Sequence, residues 1–376
     1  MRPLVACRRR AGGVAAIDAG FGPCLCSGGG ARGLCNFGFR RPLATERRPA
    51  DGRGGEEEVS HTPASTPGVA LTIGAFDGVH RGHQDLVSRM VAAAKREGLA
   101  PVCVTFDPDP EVVLHPEREH LSLSTVDERV RRLGALGVSQ VEVIPFTRSV
   151  AHQAPEEFME QLRSKHDVRA LWMGPDFALG KDRSGTVDML GQIGGKLGFR
   201  IMVVDVLLHH GRPISSTWVR EALGAGDVRL AAELLGRPFC LDGIVLTGMR
   251  RGRQLGFPTA NVVPPQGRAR PADGVYFVRA VAPGDAGSEG QVDDQSWFGV
   301  ANLGARPTFG EAEPLLEAHL LDYEGDLYGA RLEVCFLDQL RGVRRFASVE
   351  ELRLQIDRDI ATARDLARNA IWTEIR

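Results

Sequence analysis

The chain has 376 residues, 43% of them hydrophobic and 25% charged, which is an ordinary composition for globular proteins and enough chain for two domains. Its net charge of −2 at pH 7 argues against a nucleic-acid partner, because binding to a duplex normally requires a basic surface. No segment reaches the length of a membrane span, so we expect neither nucleic acid nor a membrane as a partner. These properties do not predict an oligomeric state.

Residues 1–66 are rich in Gly, Arg, Pro and Ala and show no hydrophobic periodicity, which predicts a disordered extension instead of a folded domain. An organellar targeting peptide or a start codon assigned too far upstream would have the same appearance. We assign this extension no function. Outside it, Cys103, Cys240 and Cys335 are widely spaced in apolar contexts, and we expect them to be small core residues in a reducing, cytoplasmic environment.

From residue 67 onward, short apolar segments alternate with stretches of helical periodicity. The strand-length apolar segments are residues 69–73, 102–106, 141–146, 170–173 and 201–206. The helical stretches between them include residues 126–136, 156–166 and 187–197. This alternation predicts an α/β domain over residues 67–236, with a Rossmann-like parallel sheet covered by helices on both faces. Ligands of such sheets bind in the crevice at the carboxyl ends of the strands.

The loop after the first strand is the most informative segment. Residues 73–84 read Ile-Gly-Ala-Phe-Asp-Gly-Val-His-Arg-Gly-His-Gln and lead into a helical pattern. A helix N-terminus attracts phosphate, because its N–H groups are free and its dipole is positive there, and the glycines let the backbone approach the ligand closely. His80 and His83 add hydrogen-bond donors to this nucleotide-binding turn.

These two histidines also have simpler interpretations, as solvated loop residues or as part of a metal site. A zinc site would need further ligands, and the neighbouring sequence offers only Asp77 and Asp85. Nucleotidyl transfer suits the pair better, because this chemistry mainly requires that the reactants are positioned and that their charge is neutralised.

The loop resembles the HxGH signature of the nucleotidyltransferase superfamily. Its first half, Gly-Ala-Phe-Asp-Gly-Val-His, is similar to that of the FAD synthetase half of the bacterial bifunctional riboflavin kinase/FAD synthetases. The resemblance implies that His80 and His83 are catalytic. The loop residues that it places at the ATP phosphates are Gly74, Phe76, Asp77, Gly78 and Gly82.

Residues 214–220, Ile-Ser-Ser-Thr-Trp-Val-Arg, resemble a second motif of this family. Hydroxyl groups ahead of a helix and an Arg side chain both suit phosphate, although an ordinary helix N-cap would use the same hydroxyls. The residues that this resemblance assigns to ATP are Ser215, Ser216, Thr217 and Arg220.

Residues 174–180, Gly-Pro-Asp-Phe-Ala-Leu-Gly, resemble the family's flavin loop, which implies that Asp176 and Phe177 contact the flavin. Two positions depart from the family pattern. Asp109 stands where the family often has His, and Leu179 stands where it usually has an aromatic residue. An acceptor in place of a donor at Asp109 would weaken adenylyl transfer if this side chain touches the nucleotide.

After Gly236 the pattern changes to short alternating strands separated by Gly and Pro turns. Strand-length segments at residues 275–281, 297–303, 315–321 and 332–336, without helices between them, predict a small antiparallel β-barrel over residues 237–376. A closing helix follows, opened by a capping-box pattern at residues 348–351 and apolar on one side, and we expect it to pack on the barrel.

Residues 248–261 include the sequence Gly-Arg-Gln-Leu-Gly-Phe-Pro-Thr-Ala-Asn. Thr259 and Asn261 are at positions i and i+2 and therefore lie on one face of an extended segment, and their oxygen atoms suit a magnesium ion that is also held by ATP. The segment resembles the riboflavin kinase signature, which implies Mg²⁺ at these two residues. The ATP-binding residues that the resemblance adds are Gly248, Arg253 and Gly256.

Glu317 occurs in an otherwise apolar strand, where a carboxylate is costly to bury unless it is paired or functional. An exposed strand face would also explain it. The resemblance places the catalytic base of the kinase at Glu317, where it would accept the proton of the riboflavin 5′-hydroxyl. Asn302 opens a further family-like segment, which implies a contact with the flavin.

Together these resemblances imply a bifunctional enzyme that phosphorylates riboflavin to FMN with ATP and Mg²⁺ and then adenylylates FMN to FAD. Riboflavin, FMN and ATP are the expected small-molecule partners. One alternative is a riboflavin kinase with an inactive adenylyltransferase domain, and another is a non-catalytic flavin- or nucleotide-binding regulator. The presence of all the chemically active residues favours the enzyme, since a regulator would not need all of them.

Overall fold

The computed structural model describes residues 67–246, 257–282, 295–305 and 314–369, all within one compact unit of the chain. The extension predicted for residues 1–66 lies outside the described residues. In the part of the chain that the structure describes, no helix combines the length and the apolar character that crossing a membrane requires.

The first half is an α/β domain, as predicted. Its strands are β1 (Val69–Ile73), β2 (Ala100–Asp107), β3 (Gln140–Pro145), β4 (Val168–Met173), β5 (Ala178–Leu179), β6 (Gly185–Thr186), β7 (Arg200–Val203), β8 (Leu208–His209) and β9 (Arg212–Pro213). Its helices are α1 (Arg81–Glu97), α2 (Pro110–Leu114), α3 (Val126–Ala135), α4 (Arg148–Ala151), α5 (Pro155–Lys165), α6 (Val187–Leu197), α7 (Ser216–Gly224) and α8 (Val228–Leu235).

A five-stranded parallel sheet in the order β3-β2-β1-β4-β7 forms the centre of this half. All residues of β1 are buried, because helices cover both faces of the sheet. Ala70 packs in one cluster with Met90 of α1, and Leu71 packs in the opposite cluster with Met159 of α5. Because β1 and β4 are neighbouring parallel strands, their carboxyl ends lie at the same end of the sheet, and the loops with the predicted motifs begin there.

The second half is a closed antiparallel barrel in the order β10-β11-β14-β13-β12-β15, which confirms the predicted fold class. Its strands are β10 (Phe239–Leu246), β11 (Ala260–Val263), β12 (Gly274–Ala282), β13 (Gln295–Ala305), β14 (Pro314–Leu320) and β15 (Arg331–Gly342). The closing helix α9 (Val349–Asn369) packs on the outside of the barrel, where Ile360 and Ala363 join a cluster with Phe277 and Leu337. The predicted packing of this helix is confirmed.

The two halves join between Leu235, the last residue of α8, and Phe239, the first residue of β10. Gly236 caps α8 with φ 71°, a left-handed conformation that favours glycine. The predicted domain boundary at residue 236 lies in this junction and stays a prediction.

The expectation that Cys240 and Cys335 are isolated core residues was wrong. The two cysteines form a disulfide, because the register of β10 against β15 places them directly opposite each other with their Cα atoms 4.0 Å apart. They are 95 positions apart along the chain, so only the pairing of these strands brings them together. Cys103 is buried with a free thiol, as predicted for a core residue.

Candidate active sites

The loop between β1 and α1 is held in an uncommon backbone conformation. Phe76, Gly78 and Val79 have φ values of 51°, 76° and 43°, all in the left-handed region. This region is unfavourable for Phe and Val, so the surrounding structure must hold the loop in place. Gly78 is also needed for space, since a Cβ atom at this position would lie 2.9 Å from Cδ1 of Leu123.

Asp77 anchors this loop. Its side chain is 2% exposed in the folded chain, and its carboxylate accepts hydrogen bonds from the backbone N–H groups of Leu123 and Ser124 at 2.9 and 3.0 Å. The Ser124 hydroxyl and Nη2 of Arg220 donate two more, at 3.0 and 2.6 Å. These four donors give the Asp77 carboxylate an anchoring role in the loop, and the contact predicted between Asp77 and ATP stays a prediction.

His80 and His83 lie together at the start of α1. His80 is the N-cap, and its Nδ1 accepts the backbone N–H of His83 at 3.3 Å. The two rings are stacked with their centroids 3.6 Å apart, and the ring of Phe76 meets His83 edge-on at 5.1 Å. Phe76 is itself buried and its ring packs against the histidines, and its predicted contact with ATP stays a prediction.

Both imidazoles are neutral near pH 7. Burial lowers the pKa of His80 from 6.5 to about 4; Asp77 opposes this shift, and the positive charges of Arg237 and Arg220 add to it. Burial also lowers the pKa of His83 well below its ordinary value, with His80 and Arg129 contributing. Because Nδ1 of His80 accepts a hydrogen bond, its proton is on Nε2, which is then a donor.

The structure brings the motif at residues 215–220 against this loop. The Ser216 hydroxyl donates to the backbone carbonyl of Asp77 at 2.9 Å, and Nε of Arg220 donates to the carbonyl of Leu121 at 2.7 Å. Ser215 is an ordinary N-cap of α7, accepting the N–H of Trp218 at 3.2 Å, and Thr217 is exposed. The contacts predicted between this motif and ATP stay predictions.

Asp109, one of the two positions that depart from the family pattern, lies in the same region. Its side chain caps α2 by accepting the N–H of Glu111 at 3.0 Å, and its other oxygen is 3.7 Å from Nε2 of His120. Ligand atoms of Asp77, Asp109 and His120 lie within 4.8 Å of one another. Since four protein donors already bind Asp77, this group does not form a convincing metal site.

The predicted flavin loop follows β4. Asp176 is exposed, and the ring of Phe177 packs at the edge of the sheet core. Leu179 lies in β5 and pairs with Gly185 of β6. The loop leaves the same edge of the sheet as the histidine loop, because β1 and β4 are neighbouring parallel strands.

In the barrel, a polar row crosses three neighbouring strands. Asn261 of β11 pairs with Glu317 of β14, which also pairs with Asn302 of β13. Residues directly opposite in antiparallel strands share one face of the sheet, so these side chains lie side by side on one face. Asn261 is 7% exposed, Glu317 is partly buried and Asn302 is exposed.

Thr259 and Asn261 line a cavity of about 580 Å³ that is closed on another side by the loop after β14, including Tyr323 and Tyr328. His319 contacts the cavity lining beside Thr259, because its Nδ1 lies 2.8 Å from the carbonyl oxygen of Pro258. The predicted ATP-binding residues Gly248, Arg253 and Gly256 lie outside the described residues.

Sequence reasoning missed the residues that hold the histidine loop. Ser124 donates to and accepts from this loop, and Arg237 donates to the carbonyl of Gly78 at 2.7 Å. No local signal marks either residue, since Ser124 reads as part of a loop and Arg237 as part of a domain junction.

Comparison with known proteins gives matches for both halves. The family described as FAD synthetase matches residues 62–218, and the family described as riboflavin kinase matches residues 235–367. The bifunctional riboflavin kinase/FMN adenylyltransferase of Pseudomonas fluorescens is 41% identical over 302 residues, which cover 80% of this chain and 93% of the relative. The protein of the same name from Escherichia coli (strain K12) is 37% identical over 312 residues, or 83% and 96% of the two chains.

A crystal structure from Streptococcus pneumoniae, described as a macrolide-efflux protein, shares the fold with a TM-score of 0.72 and 30% identity over 80% of this chain and 95% of that one. Its description applies to that protein, and only the shared fold is relevant here. The bifunctional relatives confirm the predicted enzyme with both activities over the two alternatives. From its two matched halves and these relatives, the chain belongs to the family of bifunctional riboflavin kinase/FMN adenylyltransferases.

Proposed function

We propose that this chain makes FAD from riboflavin in two steps, with the barrel phosphorylating riboflavin and the α/β half adenylylating the resulting FMN. The observation that carries the second step is the stacked pair of neutral imidazoles at the N-terminus of α1. Nδ1 of His83 is buried and has no hydrogen-bond partner among the described residues. Such an atom is uncommon in a protein interior, and it supports a ligand at this site.

In adenylyl transfer, a phosphate oxygen of FMN attacks the α-phosphorus of ATP. The bond from that phosphorus to the oxygen bridging to the β-phosphate breaks, and pyrophosphate leaves. Negative charge builds up on the phosphate oxygens during this exchange. Nε2–H of His80 and an N–H of His83, together with the free N–H groups of α1, are placed to stabilise this charge without a change in their own protonation.

In the kinase reaction, the 5′-hydroxyl oxygen of riboflavin attacks the γ-phosphorus of ATP. The bond from that phosphorus to the β–γ bridging oxygen breaks, ADP leaves, and the hydroxyl proton passes to the carboxylate of Glu317. The position of Glu317 opposite both Asn261 and Asn302 supports this role, because the strand register puts its side chain in one polar row with Asn261, a predicted magnesium ligand.

We assign Mg²⁺ to the hydroxyl of Thr259 and the amide oxygen of Asn261. The donor set fits this ion, since magnesium prefers oxygen ligands and both residues line the same cavity. When bound, the ion would neutralise charge on the ATP phosphates. The predicted flavin contacts of Asp176, Phe177 and Asn302, the lack of a nucleic-acid or membrane partner, and the cytoplasmic location stay predictions.

A flavin assay with two variants tests these assignments. The purified chain is incubated with riboflavin and MgATP, or with FMN and MgATP, and the flavins are separated by chromatography. Glu317→Gln should stop FMN formation and leave FAD formation from supplied FMN, whereas His83→Ala should do the reverse. Glu350→Gln and His152→Ala, at exposed positions, are the matched controls.

Full-rate FMN formation by Glu317→Gln would rule out its role as the base, and full-rate FAD formation by His83→Ala would rule out the role of His83. Unchanged riboflavin with the unaltered chain would contradict the proposed function as a whole.

A further inference from the structure

The junction between the two halves contacts the histidine loop directly. Nη2 of Arg237 donates to the carbonyl oxygen of Gly78 at 2.7 Å, and Nη1 donates to the carbonyl oxygens of Val79 and Leu235 at 3.4 and 3.1 Å. Arg237 lies two residues before Phe239, where the first barrel strand begins. One side chain at the junction therefore ties the end of α8 to the loop that carries His80.

A second side chain makes a parallel connection. Nε2 of Gln84, in the first turns of α1, donates to the carbonyl oxygens of both Val79 and Leu235 at 2.8 Å each. The carbonyl of Val79 is thus bonded by Arg237 and by Gln84. The last residue of α8 and the residue before His80 share the same two donors.

The barrel also contacts the residues that anchor this loop, through the segment between β11 and β12. Ser122 donates its N–H to the carbonyl of Gly267 at 2.8 Å and accepts the N–H of Ala269 at 2.9 Å. Arg268 donates to the carbonyl of Leu123 at 3.2 Å. Because the N–H groups of Leu123 and its neighbour bind the carboxylate of Asp77, this segment of the barrel indirectly anchors the same loop.

The position of these bonds matters because a carbonyl shares a rigid peptide plane with the next N–H group. The carbonyls of Gly78 and Val79 belong to the two peptide planes that lead into His80. Both residues have left-handed backbone conformations, which glycine adopts readily but which Val79 keeps only where its surroundings hold it. A planar guanidinium bound to two successive carbonyls restrains both planes with donors in a fixed geometry, whereas the donors of an ammonium group rotate about a single nitrogen and restrain them less.

We propose that Arg237 is a positioning residue for adenylyl transfer, so that the junction with the kinase half completes the adenylyltransferase site. Arg237 acts through the loop and through His80, and it has no contact with substrate in this role. The inference rests on the proposed role of His80 in FAD synthesis, and FAD formation by the unaltered chain tests that role separately.

Arg237 also acts through its charge. The groups that face His80 are Asp77, Arg220, Arg237 and His83, and Arg237 is one of the two cations that lower the pKa of His80. Removing this cation should raise the pKa of His80, so that the imidazole is protonated at a higher pH. Geometry and charge can be separated on the acid side of the pH profile, because there Lys keeps the charge and loses the fork, whereas Met loses both.

The experiment uses the full chain with Arg237→Lys, Arg237→Met and the control Arg229→Met, at an exposed residue of α8 that pairs with Asp338 of the barrel. For each, kcat and KM are measured for FAD formation from FMN over a range of pH, and riboflavin phosphorylation is measured on the same preparation. We expect kcat for FAD formation to fall by about tenfold to a hundredfold in Arg237→Met. The rate of riboflavin phosphorylation should stay within about twofold of that of the unaltered chain, since this reaction depends on the barrel, which the substitution leaves intact.

Arg237→Lys should show a smaller fall in kcat and an unchanged acid limb of the pH profile, whereas Arg237→Met should move that limb to higher pH. A merely structural contribution would not move it. The proposal is wrong if Arg237→Met loses no more FAD formation than Arg229→Met. It is also wrong if FAD formation, riboflavin phosphorylation and the midpoint of thermal unfolding all fall together in Arg237→Met. If Arg237→Met does not fold, an Arg237→Lys protein with unchanged kcat for FAD formation overturns the proposal by itself.

Discussion

The burial of His80 predicts a defined loss of stability in mild acid. In the folded chain the pKa of His80 is lowered from 6.5 to about 4, mainly by burial, while the unfolded chain keeps it near its ordinary value. As the pH falls below about 6.5, the unfolded state takes up the proton first. The stability is therefore complete above about pH 6.5 and decreases down to about pH 4. The gap between the two pKa values corresponds to about 3 kcal/mol, of which about 2 kcal/mol is lost by about pH 5.

His80→Asn isolates this contribution, because Asn is a favoured N-cap and can still accept the N–H of His83. Urea unfolding followed by tryptophan fluorescence, near neutral pH and at about pH 5, measures the free energy of unfolding. Between these conditions the unaltered chain should lose about 2 kcal/mol more than the variant. His152→Asn, at an exposed histidine, should behave like the unaltered chain.

An equal loss in the unaltered chain and in His80→Asn would refute the reasoning, because it would show that His80 binds its proton as readily in the folded state as in the unfolded state. His83 is present in both proteins, so its contribution, which has the same sign, largely cancels in the comparison.

Three further predictions follow from the contacts described above. Asp77→Asn should lower the free energy of unfolding by about 3 kcal/mol and impair FAD synthesis more than riboflavin phosphorylation, since a buried ion pair loses one partner; Asp85→Asn, in an exposed pair, is the control. Thr259→Val should raise the Mg²⁺ concentration for half-maximal riboflavin phosphorylation by about tenfold and leave FAD formation from FMN unchanged, whereas Thr362→Val should change neither. Reducing the disulfide between β10 and β15 should lower the free energy of unfolding by about 2–4 kcal/mol, because it joins residues 95 positions apart.

Each of these predictions has an outcome that contradicts it. Stability of Asp77→Asn equal to that of its control would show that the four donors to Asp77 are not stabilising. An unchanged Mg²⁺ requirement in Thr259→Val would remove the hydroxyl from the set of magnesium ligands. Identical urea unfolding with and without reductant would show that the disulfide does not form in solution.

The sequence predicts most of the secondary structure correctly, because hydrophobic periodicity records which face of each segment is buried. The helix predicted over residues 187–197 and the strand over 69–73 agree with the structure at both ends. The strand predicted over 201–206 is shorter and ends at Val203. Apolar residues continue past the last residue that pairs with β4, and their presence alone does not show that Val204 is a buried loop residue and Val206 an exposed one.

For the candidate sites, too, the sequence predicts some features and the structure alone shows others. From the sequence alone we predict His80, His83, Thr259, Asn261 and Glu317 as site residues, because each lies in a short motif whose residue types suit one chemistry. The sequence does not reveal that the Asp77 carboxylate accepts four hydrogen bonds that anchor the loop. Its partners lie up to 143 positions away, and no local pattern records such pairs.

By itself, the sequence determined the order of the elements, the two kinds of domain and the motifs that indicate flavin chemistry, since all of these are written in segments of about ten residues. Only the tertiary structure decided which distant groups meet. It paired Cys240 with Cys335, aligned Glu317 with two asparagines, and placed Arg237 against the loop of His80. The physical reason is that strand register and domain packing depend on all contacting segments at once, whereas periodicity and motifs depend on each segment separately.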